Sequence, residues 1–179
     1  MRDWLSHRAR IEPNTPAIVL AESSDVYSFG NLDTLVDDLA GRLAGAGVES
    51  GMHVGAVLAP RIEYVCLVHA AMRLGVTLVP MGDGLTGREL GGRIETADVD
   101  AVVCDAETES TVVDAVDVGR ADAAEGGSIE ILLSVDDPAN DAAASLSDVS
   151  PESFTPADWD LEDRQLLLFT SGTTGTPKA

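Results

Sequence analysis

The amino-acid sequence predicts an α/β fold in which helices cover a mostly parallel sheet. Short apolar runs typical of buried strands alternate along the chain with longer segments whose apolar residues recur at helical spacing. Helix start and stop signals bracket the longer segments. Strands that alternate with helices in this way are joined by crossover connections, which place neighbouring strands parallel. The chain has 179 residues and 45% apolar content, enough for one domain with its own core.

The first segments follow this alternation. The spacing predicts a short helix over residues 3–11, halted before Pro13, and a strand over residues 17–21. Ser28 is a candidate N-cap for a second helix, which Gly45 and Gly47 end. The apolar stripe of this helix consists of Leu32, Leu35, Val36, Leu39, Ala40, Leu43 and Ala44.

The middle of the chain repeats the pattern. Gly75 closes one helix, Pro80 ends one short strand, and Thr86 and Glu89 have the spacing of a capping box. The predicted strands are residues 54–58, 77–79, 101–104 and 129–135, and the predicted helices are residues 62–74, 87–97 and 110–118.

An acidic segment interrupts the alternation. Residues 136–160 are rich in Asp, Ser, Ala and Pro, which predicts a surface connection, with Phe154 and Trp159 as candidate anchors and with Asp136 and Asp137 solvated. Residues 166–169 then predict one more buried strand. The predicted organisation is an α/β subdomain over residues 1–135, an acidic connecting segment over 136–160, and a strand with a loop over 161–179.

The charge balance restricts the possible partners. There are 31 Asp and Glu residues against 11 Lys and Arg, and the net charge is -20. Such a surface repels nucleic acid and anionic membranes, so neither is expected as a partner. Strong acidity suits a protein that works in concentrated salt, where self-repulsion is screened, so we infer a halophilic source. An ordinary acidic protein is the alternative.

The cysteines and histidines predict no metal site. Cys66 and Cys104 lie in apolar contexts and read as small buried side chains. Cys66 and His69 can share a helix face, but two ligands do not complete a zinc site, and His69 reads as a core or surface residue. The chain contains no apolar run of membrane-spanning length, and its N-terminus lacks the apolar core of a secretion signal, so we expect a cytoplasmic protein without a membrane span.

The last predicted strand leads into a polar loop. Gly172 and Gly175 permit tight backbone curvature, the Ser and Thr residues supply hydroxyl donors, and Lys178 is the only lysine of the chain. Clustered N–H and O–H donors with one ammonium group suit a polyphosphate. The loop is not a Walker loop, because Pro177 and Ala179 occupy positions where that motif needs Gly and Ser or Thr. The alternative is a Ser/Thr/Gly tail that binds nothing.

A family resemblance rests on this loop and on the motifs before it. The run Phe169-Thr-Ser-Gly-Thr-Thr-Gly-Thr-Pro-Lys178 resembles the phosphate-binding signature of the AMP-forming adenylating enzymes, with Ala179 where the signature has Gly. Residues 27–54, 72–80, 85–90 and 101–105 look like the motifs that precede it in that family. The resemblance implies that the chain forms the N-terminal part of the large domain of an adenylating enzyme.

The resemblance also implies a two-step reaction. A small-molecule carboxylate attacks the α-phosphate of ATP, giving an acyl-adenylate and pyrophosphate, and coenzyme A then takes the acyl group. Mg²⁺ would screen the phosphate charges. Lys178 is the catalytic candidate. The residues that the resemblance assigns to phosphate binding are Thr170, Ser171, Gly172, Thr173, Thr174, Gly175, Thr176 and Lys178.

Several parts of the family's active site have no counterpart in this sequence. The adenine-binding segment, the acyl pocket and the C-terminal domain with its catalytic lysine follow the loop in the family, so we expect the 179-residue chain alone to be an inactive fragment. The residues at 1–9, 53–55 and 67–70 look most like archaeal 2-succinylbenzoate–CoA ligases of menaquinone synthesis. The alternatives are a generic fatty-acyl-CoA synthetase and a truncated, non-catalytic binding module. The oligomeric state is left open.

Overall fold

The computed structural model describes residues 3–21, 23–122, 129, 131–160 and 162–170. In chain order the elements are α1 (Trp4–Ile11), β1 (Pro16–Val19), β2 (Val26–Ser28), α2 (Phe29–Gly45), β3 (His53–Val57), α3 (Ile62–Leu74), β4 (Thr77–Pro80), α4 (Gly87–Thr96), β5 (Ala101–Cys104), α5 (Glu109–Asp122), β6 (Ile131–Ser134) and β7 (Ala144–Ser145).

The central feature is a five-stranded sheet with the order β4-β3-β5-β6-β7, in which every neighbouring pair is parallel. This confirms the predicted α/β fold. β1 and β2 form a separate antiparallel pair. The sequence pattern predicts β1 but not β2, because three residues are too few to show a period of two. β7 was also missed, since only two residues of the acidic segment join the sheet.

The two faces of the sheet carry separate hydrophobic cores. One core packs α2 and α3 against side chains such as Val54, Leu78 and Val103, and the other packs α4 and α5 against Val79 and Val102. Successive residues of one strand enter opposite cores because side chains alternate across a sheet. Strands buried on both faces explain the continuous apolar runs of the sequence.

The second helix begins and ends where its sequence signals predict. The Ser28 hydroxyl accepts a hydrogen bond from the Asn31 N–H at 3.2 Å and so caps the first turn of α2. Most of the predicted stripe packs into the core, but Leu35 stays 41% exposed.

The acidic segment after β7 is fixed to the helices. Residues 146–160, here called the strap, cross α2 and α3. Arg42 Nη1 donates to the carbonyl oxygen of Ser147 at 2.6 Å, and Trp159 Nε1 donates to the carbonyl oxygen of Met72 at 2.6 Å. Phe154 packs against the α2–α3 core. Both predicted anchors are therefore confirmed, and the strap is a packed part of the fold.

Three helices meet at a buried ion network. Asp3 caps α1 through the Leu5 N–H, accepts from Arg73 Nε at 3.0 Å and Nη2 at 2.9 Å, and lies 2.8 Å from His69 Nδ1. Arg73 also pairs with Asp33 on α2. Burial acts to raise the pKa of Asp3, but the hydrogen bonds from His69, Leu5 and Arg73 outweigh it and hold that pKa below its ordinary value. His69 is a core residue, as predicted.

Both cysteines are buried free thiols, as the sequence indicates. Burial raises the pKa of the Cys66 thiol to about 11 and that of the Cys104 thiol to about 12. The two side chains therefore act as small apolar residues of the two cores.

Candidate functional site

The candidate site begins where the strap reaches the edge of the sheet beside β4. The Leu78 N–H donates to the Gln165 carbonyl oxygen at 3.0 Å, and the Leu167 N–H donates to the Leu78 carbonyl oxygen at 2.9 Å. Leu78 and Leu166 thereby form a parallel bridge. Because the segment runs parallel to β4 at Leu166, residues 167–170 continue towards the edge at which the five strands of the sheet end.

The predicted buried strand at residues 166–169 is only half buried. Leu167 and Phe169 pack against the α4–α5 core, whereas Leu166 is 47% and Leu168 55% exposed. The segment lies outside β4 at the edge of the sheet, so helices of the described chain cover only one of its faces. The burial prediction was wrong for this reason, and the predicted strand is reduced to an isolated bridge between Leu166 and Leu78.

Thr170 is exposed at the end of this segment. It follows Phe169, whose ring lies 5.2 Å from the Arg93 guanidinium carbon on α4. The remaining predicted site residues, which lie outside the described residues, are Ser171, Gly172, Thr173, Thr174, Gly175, Thr176 and Lys178. The structure therefore locates the start of the loop, at Thr170.

The crevice between β3 and β5 is the usual ligand position in such a sheet, because crossover connections leave it in opposite directions. Here Asp105 fills it. This carboxylate is only 2% exposed and accepts the Ala59 N–H at 2.8 Å and the Thr108 N–H at 3.0 Å. The Thr108 hydroxyl donates to the Val57 carbonyl oxygen at 2.6 Å. The crevice is therefore occupied by hydrogen bonds among the chain's own groups.

An ion pair closes the neighbouring part of the same edge. Arg61 donates two hydrogen bonds to Asp136, at 2.8 and 2.9 Å, and one to Glu63 at 2.6 Å. Asp136 also accepts the Ala106 N–H. The hydrogen bond from Arg61 lowers the pKa of Asp136. The prediction that Asp136 is simply solvated was wrong, because Arg61 follows β3 and the parallel strands bring their ends together.

Neither a metal cluster nor a membrane span is found in the part of the chain that the structure describes. No three His, Cys, Asp or Glu side chains there are grouped so that they could hold a metal ion. None of the described helices has the length and apolar character that crossing a bilayer needs.

Sequence reasoning did not single out Arg93 or Asp105. Arg93 reaches Phe169 from a helix distant in sequence, and no spacing rule connects the two. Asp105 directly follows the buried strand β5, and a polar residue at that position was the available signal.

The comparisons with known proteins agree with this geometry. A model of the AMP-binding enzyme family matches residues 5–179. The chain belongs to the AMP-binding enzyme family. This confirms the resemblance to adenylating enzymes and the predicted fold.

The relatives are acyl-CoA ligases. A 2-succinylbenzoate–CoA ligase of Bacillus cereus (strain Q1) is 26% identical over 178 residues, covering 99% of this chain and 32% of the relative. The long-chain-fatty-acid–CoA ligase FadD13 of Mycobacterium tuberculosis is 26% identical over 174 residues, covering 97% of this chain and 33% of the relative. The chain thus spans about a third of the length of these curated relatives.

Solved structures share the fold. The o-succinylbenzoate CoA synthetase of Bacillus subtilis, in complex with ATP and magnesium ion, superposes with a TM-score of 0.76 at 20% identity, over 99% of this chain and 42% of that one. At this identity the match shows the fold alone. The Bacillus subtilis protein holds ATP and magnesium on the same architecture.

Proposed function

We propose that the chain supplies the phosphate-binding end of an AMP-forming acyl-CoA ligase. One observation carries the proposal. Thr170 is exposed on a segment that continues towards the carboxyl edge of a parallel sheet, and the next residues in the chain are the Ser, Thr, Gly and Lys residues that the resemblance assigns to phosphate. Ligands of open α/β sheets bind at this edge. The alternative of a tail that binds nothing does not account for a family match that extends through the loop to residue 179.

In the proposed reaction the carboxylate of the substrate attacks the α-phosphate of ATP, and pyrophosphate leaves. The residues from Thr170 to Thr176 offer hydroxyl and backbone N–H donors to the β- and γ-phosphates, where negative charge accumulates as the bond breaks. Lys178 adds a positive charge for the same oxygens. Mg²⁺, when bound with the nucleotide, neutralises phosphate charge. Coenzyme A then attacks the acyl-adenylate, and AMP leaves.

The proposed acyl substrate is 2-succinylbenzoate. The Bacillus cereus relative named above carries this activity in its name, as does a Geobacillus kaustophilus relative at 29% identity. The second candidate is a long-chain fatty acid, because FadD13 is equally similar at 26% identity. The two candidates differ in class of substrate, an aromatic dicarboxylate against an aliphatic monocarboxylate.

The substrate is tested by thioester formation. The full-length protein, supplied with ATP, Mg²⁺ and coenzyme A, is offered 2-succinylbenzoate and a series of fatty acids, and products are identified by mass spectrometry. We expect the 2-succinylbenzoyl thioester to form fastest. Preference for a fatty acid would support the second candidate. A full-length protein that forms no thioester with any carboxylate would support a non-catalytic binding module.

We further propose that residues 1–179 alone do not form an acyl-adenylate. The relatives are about three times longer than this chain, and the resemblance places the adenine and acyl contacts beyond the loop. We also propose a cytoplasmic location, and the division into residues 1–135, 136–160 and 161–179 as working units. Acyl-adenylate formation by the purified 179-residue chain would overturn the first of these proposals.

A further inference from the structure

We propose that Arg93 is a positioning residue for the phosphate loop, acting through the ring of Phe169. The inference rests on the proposed function, because the loop that it positions is the phosphate-binding segment. Arg93 contacts neither nucleotide nor acyl substrate in this proposal. Its effect is to fix the end of the segment from which Thr170 and the following residues extend.

Backbone pairing of the segment to β4 stops before the loop. The bridge uses the Leu78 N–H and then the Leu167 N–H. The next bond of a parallel ladder would be donated by residue 80 to the Leu167 carbonyl oxygen. Residue 80 is Pro80, which has no N–H. That bond of the ladder is therefore missing, and no hydrogen bond among the described residues joins the main chain of β4 to residues 168–170.

Phe169 anchors the segment beyond its pairing with β4. Its side chain packs against the α4–α5 core, and it immediately precedes Thr170. The neighbouring Leu168 is 55% exposed on the opposite face. Between the end of the ladder at Leu167 and the loop, Phe169 is thus the side chain that attaches the segment to the core.

Arg93 contacts the Phe169 ring from a helix that is itself fixed to the fold. The guanidinium carbon lies 5.2 Å from the ring centroid, within the range of a cation–π contact. Arg93 lies on α4, whose start is closed by the capping box of Thr86 and Glu89, and whose Leu90 is fully buried. A planar cation over one face of the ring restricts how the ring can tilt, and with it the backbone at Thr170.

The test separates ATP binding from other steps. In the full-length protein, Arg93→Met is compared with Arg88→Met, which removes the same charge from an exposed position of the same helix. We expect Arg93→Met to raise the KM for ATP about two- to fivefold, because the free energy of a cation–π contact converts to a ratio of that size. The KM for coenzyme A should be unchanged. Arg88→Met should leave both constants unchanged. Thermal unfolding of each variant shows that it is folded.

The ring is tested by a matched pair of variants. Phe169→Tyr keeps an aromatic face and should retain the KM for ATP, whereas Phe169→Leu should raise it and abolish any further effect of Arg93→Met. If Arg93→Met matches Arg88→Met while the wild-type protein is active, the positioning role is wrong. If the wild-type protein neither binds ATP nor forms a thioester, the proposed function itself fails, and the inference fails with it.

Discussion

The Leu167 N–H donates to the carbonyl oxygen of Leu78 at 2.9 Å. This bond attaches the segment that follows the strap to β4, at the edge of the sheet opposite β7. The chain adds β7 at one edge, crosses α2 and α3 as the strap, and reaches the opposite edge beside β4. The position of the candidate loop therefore depends on packing across the whole width of the sheet.

The buried ion network should be essential for stability. Arg73 is only 4% exposed, and replacing it with Met leaves the Asp3 carboxylate buried without its arginine partner. We expect Arg73→Met to lower the free energy of unfolding by about 3–5 kcal/mol, measured by chemical denaturation. Arg10→Met removes the same charge from an exposed position of α1 and should change it by about 0.5 kcal/mol or less. Equal effects of the two variants would show that the network does not contribute to the free energy of unfolding.

The same network should make the protein sensitive to acid. The pKa of Asp3 in the folded protein lies below its ordinary value of 3.8, so the unfolded chain takes up a proton on this group before the folded protein does. The stability that Asp3 contributes is therefore present above that ordinary value and lost as pH falls through the lower folded value. Denaturation curves should show that, as pH falls, the free energy of unfolding decreases more steeply for the wild type than for Asp3→Asn. If the free energy of unfolding has the same pH dependence in the wild type and in Asp3→Asn, this role of Asp3 is excluded.

The strap should tolerate no side chain at the end of α2. A Cβ at Gly45 would lie 2.2 Å from the Ser150 carbonyl oxygen, so Gly45→Ala must displace the strap. We expect it to destabilise the protein by about 1–3 kcal/mol. Gly92, inside α4, has open space around its Cβ position, so Gly92→Ala should stabilise by about 0.5–1 kcal/mol. Thermal unfolding compares the two, and a stable Gly45→Ala variant would contradict the described crossing.

The acidic surface should require salt. With a net charge of -20, self-repulsion opposes the folded state in dilute buffer, and at about 1 M salt the screening length falls to about 3 Å. We expect the thermal unfolding midpoint to rise continuously with KCl up to the molar range. A protein that is fully stable in dilute buffer would contradict the inferred halophilic source.

Much of the fold was predictable because it rests on local signals. The helix from Ile62 to Leu74 and the strand from Ala101 to Cys104 have the bounds that the sequence predicts, since a glycine or an apolar run marks each of them. The exposure of Leu166 and Leu168 could not be predicted. An apolar run has the same sequence pattern in a central strand and in an edge strand. Only the tertiary arrangement decides which faces of the strand are covered by helices.

The candidate site was less accessible to sequence reasoning. The resemblance identified the loop, but the contact of Arg93 with Phe169 and the closure of the β3–β5 crevice by Asp105 join residues that are distant in sequence. The pairing of Asp136 with Arg61 belongs to the same class. Such contacts follow from the order of strands in the sheet, which no pattern of residue types along the chain specifies.

The central claim is that this chain provides the phosphate-binding end of an enzyme that makes acyl-adenylates. Carboxylate-dependent exchange of labelled pyrophosphate into ATP by the full-length protein tests it most directly, because the exchange needs no coenzyme A. We expect exchange with a carboxylate substrate, its loss when the carboxylate is omitted, and a reduction of at least about tenfold in Lys178→Gln, since a phosphate charge then loses its partner. Absence of exchange with 2-succinylbenzoate and with every fatty acid tested would contradict the claim.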